Sequence, residues 1–208
     1  MSTATPPVAN PSVPVYLANA TFQLGKLTVK QYHQMIANGI LPEGEPIELL
    51  EGYMVLKMSR GTPHDVSLDM LAEQLQRVLP APWYPRTQMA MTLSDSEPEP
   101  DIAVVPGPRR RYAAAHPTPA ECRIVIEVSD SSLAIDRLDK TRVYARAGIP
   151  VYWVVNVVDK VIEVYTQPSG PTAAPAYATC DTFAVGASVP VVLDGSAVGT
   201  VAVADVMG

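Results

Sequence analysis

A chain of 208 residues with 48% hydrophobic and 17% charged side chains is long enough to bury one globular core and too apolar to be disordered throughout. Its net charge of -6 excludes a nucleic-acid grip that rests on a broadly basic surface, because such binding works by neutralising phosphates with Lys and Arg. No apolar run reaches the roughly 18–20 residues of a membrane span, and Met1 to Asn19 lack the basic start and apolar stretch of an export signal. The expectation is therefore a cytoplasmic protein without membrane contact.

Cys122 and Cys180 lie far apart and form no CxxC pair, so neither a disulfide framework nor a thiolate zinc site organises the chain. Each is expected to be a small buried hydrophobe. Proline, at 21 of 208 residues, predicts turns, edges and extended arms with few helices. Residues 1–20, with Pro6, Pro7, Pro11 and Pro14 among small side chains, read as an extended N-terminal arm. Residues 21–208 read as a single domain.

Thr28 with Gln31 predicts a capping box and a short helix through Tyr32, Met35 and Ile36, stopping by Gly39. Ile47 to Met58 reads as two strand segments joined at Glu51-Gly52, a pairing suited to a tight hairpin, with Glu48 inside the apolar stretch. Thr62, Pro63 and Asp65 supply a capping hydroxyl, a proline at the first helical position and an acid in the first turn. That helix runs to about Leu79, and Leu68, Leu71, Leu75 and Val78 recur on one face. Pro80 to Pro85 ends it. Strands are expected over Thr87 to Leu93, Ile102 to Val105, Arg123 to Val128, Val151 to Val155 and Val161 to Tyr165, several of them apolar on both faces and hence central. A second long helix spans Ala134 to Ala147, with Leu138 and Val143 on one side and Lys140 and Tyr144 on another, ending at Gly148. After a Pro/Gly/Ala-rich loop, Val-rich pieces suggest a final hairpin.

Asp101 opens the strand IAVV and Glu127 lies near the end of RIVIEV. If these strands pair antiparallel, the start of the first faces the end of the second and the two carboxylates come side by side. Like charges so placed call for a cation or a proton between them, and hard oxygen ligands suit Mg2+ or Mn2+. The alternative is that each acid caps a strand end in solvent. Lys140 lies four residues after Asp136 and four before Tyr144, on one helix face, where an ordinary weak Asp–Lys pair on a solvated surface is the plain alternative. Arg109, Arg110 and Arg111, followed by Tyr112, form the one basic cluster, in the loop joining the acid-bearing strands, either against phosphates or simply solvated. Trp83, Tyr144, Tyr152 and Trp153 read as core or interface, and His33 and His116 carry no assignment.

The segments LTVKQYHQM, IELLEGYMV, GTPHDVSLDMLAEQL, PEPDIAVV, RIVIEVSDSS and DKTRVYARAGIPVYWVVN, in that order and spacing, resemble the Uma2 family (formerly DUF820), endonucleases of the PD-(D/E)XK superfamily. The resemblance covers roughly residues 26–166 and continues more weakly to the C-terminus. It implies an α/β restriction-endonuclease-like fold, a mixed central β-sheet flanked by helices, with a divalent-metal site at one edge. It places Pro100-Asp101 on the family's PD element, Glu127 on its second metal-binding acid and Lys140 on its lysine. The superfamily's commoner lysine position, two residues after the acid, is Ser129 here. Glu48 matches the acid of the family's first strand block and His64 the histidine opening its first long helix. Tyr53, Asn156 and the run Ser129-Asp130-Ser131-Ser132 depart from the family's pattern.

The resemblance thus implies a Mg2+- or Mn2+-dependent DNA endonuclease, catalytic through Asp101, Glu127, Lys140 and Glu48, with the metal on Asp101 and Glu127. His64, Arg109, Arg110, Arg111 and Tyr144 would support the site, and a homodimer would pair two of them, joined through edge strands near Val151 to Tyr165 or through the arm. Two other readings stand beside it: a non-catalytic nucleic-acid- or protein-binding module on the same fold, and a phosphoesterase acting on RNA or nucleotides.

Overall fold

The computed structural model describes residues 24–42 and 44–207, so the expected arm over residues 1–20 lies outside the described residues. The chain opens with helix α1 (Val29–Ala37), whose Thr28 side chain accepts from the Gln31 amide while the Gln31 side chain accepts from the Thr28 amide. A hairpin of β1 (Ile47–Leu50) and β2 (Tyr53–Leu56) follows. Its turn residues Glu51 and Gly52 both take positive φ, 51° and 84°, as a tight primed turn requires. Gly52 is needed there twice over, since a Cβ would also meet Lys26 Cβ at 2.8 Å.

Helix α2 (Thr62–Val78) starts one residue earlier than expected. Thr62 sits inside the helix, Gly61 is its cap, and the Gly61 amide donates to Asp130 Oδ2 at 3.1 Å. The Asp130 carboxylate thus takes the amide of the cap residue itself, the donor that the third helical residue's side chain takes in a capping box. Leu68, Leu71 and Leu75 are buried, the apolar face that the spacing called for. Truncating Leu75, which is fully buried, would cost about 2–5 kcal/mol by the usual large-to-small rule.

The central sheet has six strands in the order β3 (Trp83–Thr87), β4 (Ile102–Pro106), β5 (Ile124–Ser129), β6 (Val151–Asn156), β7 (Val161–Pro168) and β8 (Tyr177–Ala184). All neighbours are antiparallel except β5 and β6, which run parallel. A parallel pair needs a crossover. Here it is helix α3, built of an α-helical turn (Leu133–Ile135), a π-helical turn (Asp136–Lys140) and an α-helical stretch (Thr141–Ala147) that ends at Gly148 in the left-handed conformation. Leu138, expected on the same side as Val143, is 67% exposed, while Asp136 and Lys140 turn inward with Val143 and Tyr144.

The first sheet strand also differs from expectation. It is Trp83–Thr87, not Thr87 to Leu93, and Pro85 lies within it. A proline fits because β3 is an edge strand with a free side that needs no ladder donor. The strands over Val151–Asn156 and Val161–Pro168 are interior, so they offer no edge for a partner; the sheet's edges are β3 and β8. A final hairpin of β9 (Ser188–Leu193) and β10 (Ser196–Ala202) packs with α2 against one sheet face. There a Cβ at Gly199 would meet Val78 Cβ at 2.9 Å, so the glycine permits the close approach. The other face, under α3, holds Ala103, Val105, Val125, Tyr144, Tyr152 and Val154. Cys122 is buried here, whereas Cys180 on the outer strand β8 is exposed.

Candidate active site

Strand alternation decides where the two acids point. Residues 101, 103 and 105 share one side of β4, and 125, 127 and 129 share one side of β5. Ala103, Val105 and Val125 face α3, and Glu127 reaches Tyr144 and Lys140 of that helix, while Asp101, just before β4, reaches His64 of α2 and the Val128 amide of β5. Ile102 pairs with Ile126, which sets Asp101 across from Glu127 one step beyond the ladder. The hairpin adds a third acid: Leu49 bridges Glu97, and Glu48 Oε2 accepts from the Glu99 amide at 3.2 Å. Helix α3 supplies the cation. Lys140 Nζ lies 3.0 Å from Glu127 Oε1, 3.6 Å from Glu48 Oε1 and 3.9 Å from Asp136 Oδ1.

These groups line one cavity of about 70 Å³ together with Arg60, His64 and Asp130. Each carboxylate is anchored through one oxygen. Asp101 Oδ2 accepts from the Val128 amide at 2.9 Å and from His64 Nε2 at 3.1 Å, leaving Oδ1 facing Arg60 Nη1 at 3.8 Å. Glu127 Oε1 accepts from the Tyr144 hydroxyl at 2.7 Å and from Lys140, and Oε2 has no hydrogen bond from the described residues. Asp136 Oδ2 is held by the Ser129 and Ser132 hydroxyls, each at 2.5 Å. Ser129, at the position of the commoner superfamily lysine, therefore fixes an acid beside the lysine that comes from the helix.

The electrostatics are lopsided. Glu48, Asp101, Glu127 and Asp136 are all buried, as is Lys140. Burial, opposed by Lys140 but reinforced by Asp136, Asp101 and Glu48, pushes the Glu127 carboxyl up to about 8. Burial works against the Lys140 ammonium, but Glu127, Glu48 and Asp136 outweigh it and hold its pKa above the usual lysine value. His64 is likewise raised: burial opposes its charge, and the acceptors Asp101 and Asp65 on its two ring nitrogens prevail.

Among the described residues no group of three or more His, Cys, Asp and Glu side chains is placed to enclose a metal ion. The oxygens on offer are the free ones of Asp101 and Glu127. A pair of carboxylates suits Mg2+, which is characteristically held by one or two of them and completed by water and phosphate oxygens. The donor chemistry and the excess of buried negative charge fit such an ion.

Not every sequence candidate comes to this cavity. Glu48, His64, Asp101, Glu127 and Lys140 do, and Tyr144 reaches it through its hydrogen bond to Glu127; Arg109, Arg110 and Arg111 do not. The arginines follow the Pro106 end of β4, a strand length of roughly 17 Å from Asp101. Topology requires it, since the connection between antiparallel strands joins the end of one to the start of the next, and the acids sit at the opposite ends. Arg109 covers the Tyr84 ring at 4.6 Å and Arg111 pairs with Glu121 at 2.8 Å. Asp136, Ser129 and Arg60 were not singled out as site residues. Asp136 was visible as the partner of Lys140, but nothing local marked their helix face as the one that packs over the sheet.

A six-stranded mixed sheet flanked by helices on both faces is a restriction-endonuclease-like fold. The fold is shared with a crystal structure described as "a putative nuclease belonging to DUF820", from Anabaena variabilis ATCC 29413. The match has a TM-score of 0.66 and 18% identity, and covers 86% of this chain and 97% of that one. The sequence profile of the Uma2 family, described as "Putative restriction endonuclease", matches residues 29–197, and the chain belongs to that family. No curated protein matches it.

Proposed function

We propose that the protein is a divalent-metal-dependent endonuclease that hydrolyses DNA phosphodiester bonds in the cavity between β4, β5, the β1–β2 hairpin and α3. The observation that carries this reading is the meeting of Asp101, Glu127 and Lys140 in one buried, acid-rich pocket. Asp101 and Glu127 would hold Mg2+ or Mn2+, which supplies masking of the phosphate charge and a water of lowered pKa.

The chain's own groups do the rest. Lys140, poised 3.0 Å from Glu127, orients the attacking water or steadies the charge that builds on the phosphoryl oxygens. Tyr144 donates to Glu127 and His64 to Asp101, so each ligand carboxylate keeps one fixed oxygen and presents the other. Glu48 flanks Lys140 on the hairpin side and Asp136 on the helix side, which keeps the ammonium charged and centred. Cleaving both strands of a duplex takes two such cavities, for which a second copy of the chain is the natural source.

The test is incubation of the protein with supercoiled plasmid and single-stranded DNA in Mg2+, Mn2+ or EDTA, beside a Glu127→Ala/Lys140→Ala variant. Metal-dependent nicking by the wild type alone is expected. No cutting under any metal would leave a binding module on the same fold, and cutting of RNA or nucleotides in place of DNA would reassign the substrate.

A further inference from the structure

The catalytic cavity, at about 70 Å³, has room for an ion, a few waters and phosphate oxygens but not for a nucleoside. On the nuclease reading, the sugar and base that adjoin the scissile phosphate must lie outside it. A second, open groove of about 610 Å³ runs beside it, between α2 and the end of β3. That volume falls in the range of about 300–1,000 Å³ usual for small-molecule sites. Arg60 and Gln88 line both spaces, so the groove opens directly onto the cavity that holds Asp101.

The groove's chemistry changes along its length. At the junction stands Arg60, 41% exposed at its side chain, with Nη1 at 3.8 Å from Asp101 Oδ1. Its partner is the very oxygen a metal would take, which leaves the guanidinium free to turn to a phosphate, the anion its fork fits best. Gln88 opposes it at φ 50°, a left-handed conformation in a residue other than glycine, held by its amide donating to the Asp101 carbonyl at 2.9 Å. Such a strained position beside a candidate site presents a side chain that regular strand geometry would not. Beyond the junction the groove remains more polar than apolar: the largely buried Leu68 and the half-buried Ala72 give its apolar part, and Asp65 and Asp69 of the same helix rim it. Apolar surface with carboxylate acceptors suits a base and its amino groups and disfavours a second phosphate.

We propose that this groove is the subsite for the nucleoside flanking the scissile phosphate of a DNA strand, with Arg60 gripping that phosphate at its mouth. The inference rests on the nuclease reading, and Arg60 acts by touching substrate. Filling the groove with Ala72→Trp should therefore separate DNA from a small phosphodiester that has no nucleoside. With Mn2+, Ala72→Trp is expected to lower kcat/KM on a labelled oligonucleotide by roughly tenfold or more, mainly through KM, the scale of one lost binding pocket. Bis(4-nitrophenyl) phosphate should be hydrolysed as by the wild type, which also shows that the variant folds. If it does not fold, Asp69→Trp at an exposed position of the same rim serves. Arg60→Ala should lose activity on both substrates, with partial rescue by Arg60→Lys. Fluorescence anisotropy of the oligonucleotide in Ca2+ separates the two readings. Binding that Ala72→Trp abolishes, with no cleavage by the wild type, would uphold the groove and sink the nuclease; unchanged binding and cleavage by Ala72→Trp would overturn the groove alone.

Discussion

Two ionic clusters tie the same hairpin to the same helix, and they are built on opposite plans. The inner one joins Glu48 of β1 to Lys140 of α3, side chains 3% and 11% exposed, with Glu127, Asp101 and Asp136 packed around them. The outer one starts three residues later, at the hairpin turn. Glu51 takes Arg142 Nη2 at 2.7 Å and Arg146 Nη2 at 2.5 Å, while Asp139 and Asp95 occupy the other sides of those guanidiniums at 3.0 and 2.9 Å. Outside, charges are nearly balanced and partly exposed. Inside, four acids share one buried ammonium. The outer arrangement would be enough to fasten hairpin to helix; the inner crowding of acids is what the proposed divalent cation would relieve.

The comparison can be broken most forcefully at Lys140. Lys140→Met removes the inner cation and leaves buried carboxylates facing one another, with an expected loss of about 3–5 kcal/mol in metal-free protein, the usual cost of orphaning a buried pair. Mg2+ should restore part of that in thermal melts, since a ligand that binds only the folded state stabilises it. A variant as stable as the wild type in EDTA would show that the acids are already relieved by protons or water. Glu48→Gln should act in the opposite sense. It keeps an acceptor for the Glu99 amide but deletes one surplus charge, so the metal-free protein is expected to melt higher, by roughly 2–4 °C if about 1 kcal/mol is regained, while nicking falls. A lower melting point would mean that Glu48 stabilises Lys140 more than it repels its fellow acids.

Local rules made part of the fold and the pairing of two inner acids legible from the chain, and the family resemblance added Glu48, His64 and Lys140. The Thr28–Gln31 box, the Glu51-Gly52 turn and the antiparallel meeting of Asp101 with Glu127 all follow from short-range chemistry and a period of two. What sequence reasoning missed was set by tertiary context. Asp136 and Lys140 read from spacing alone as a solvated pair, and only the resemblance singled out Lys140; that their helix face packs over the sheet, burying both with Val143 and Tyr144, is a tertiary fact. The strand at Trp83 hid behind its prolines, which are tolerated because β3 lies at an edge that no local signal announces. The arginine run misled for the reverse reason: clustering in sequence suggested proximity to the acids, and strand direction sends it to the other end of the sheet.

The outer cluster gives the smallest effect and the sharpest sign. Glu51 sits below the ordinary glutamate value of 4.5, because the Arg142 hydrogen bond, with the charges of Arg142 and Arg146, outweighs the burial that opposes it. A carboxylate whose folded pKa is depressed contributes stability that is fully present above its unfolded pKa and is lost as pH falls through the folded value. Glu51→Gln should thus cost on the order of 1 kcal/mol or less at pH 7, since its partners are partly solvated. The gap to the wild type should hold down to about pH 4.5 and close below it. It should also shrink in high salt, which screens the outer arginines but barely reaches Lys140. Melting curves of wild type and variant across pH 3 to 7 read the sign directly. A gap that persisted at the acid end would mean that Glu51 works through packing at the turn, leaving the inner cluster as the principal ionic link between hairpin and helix.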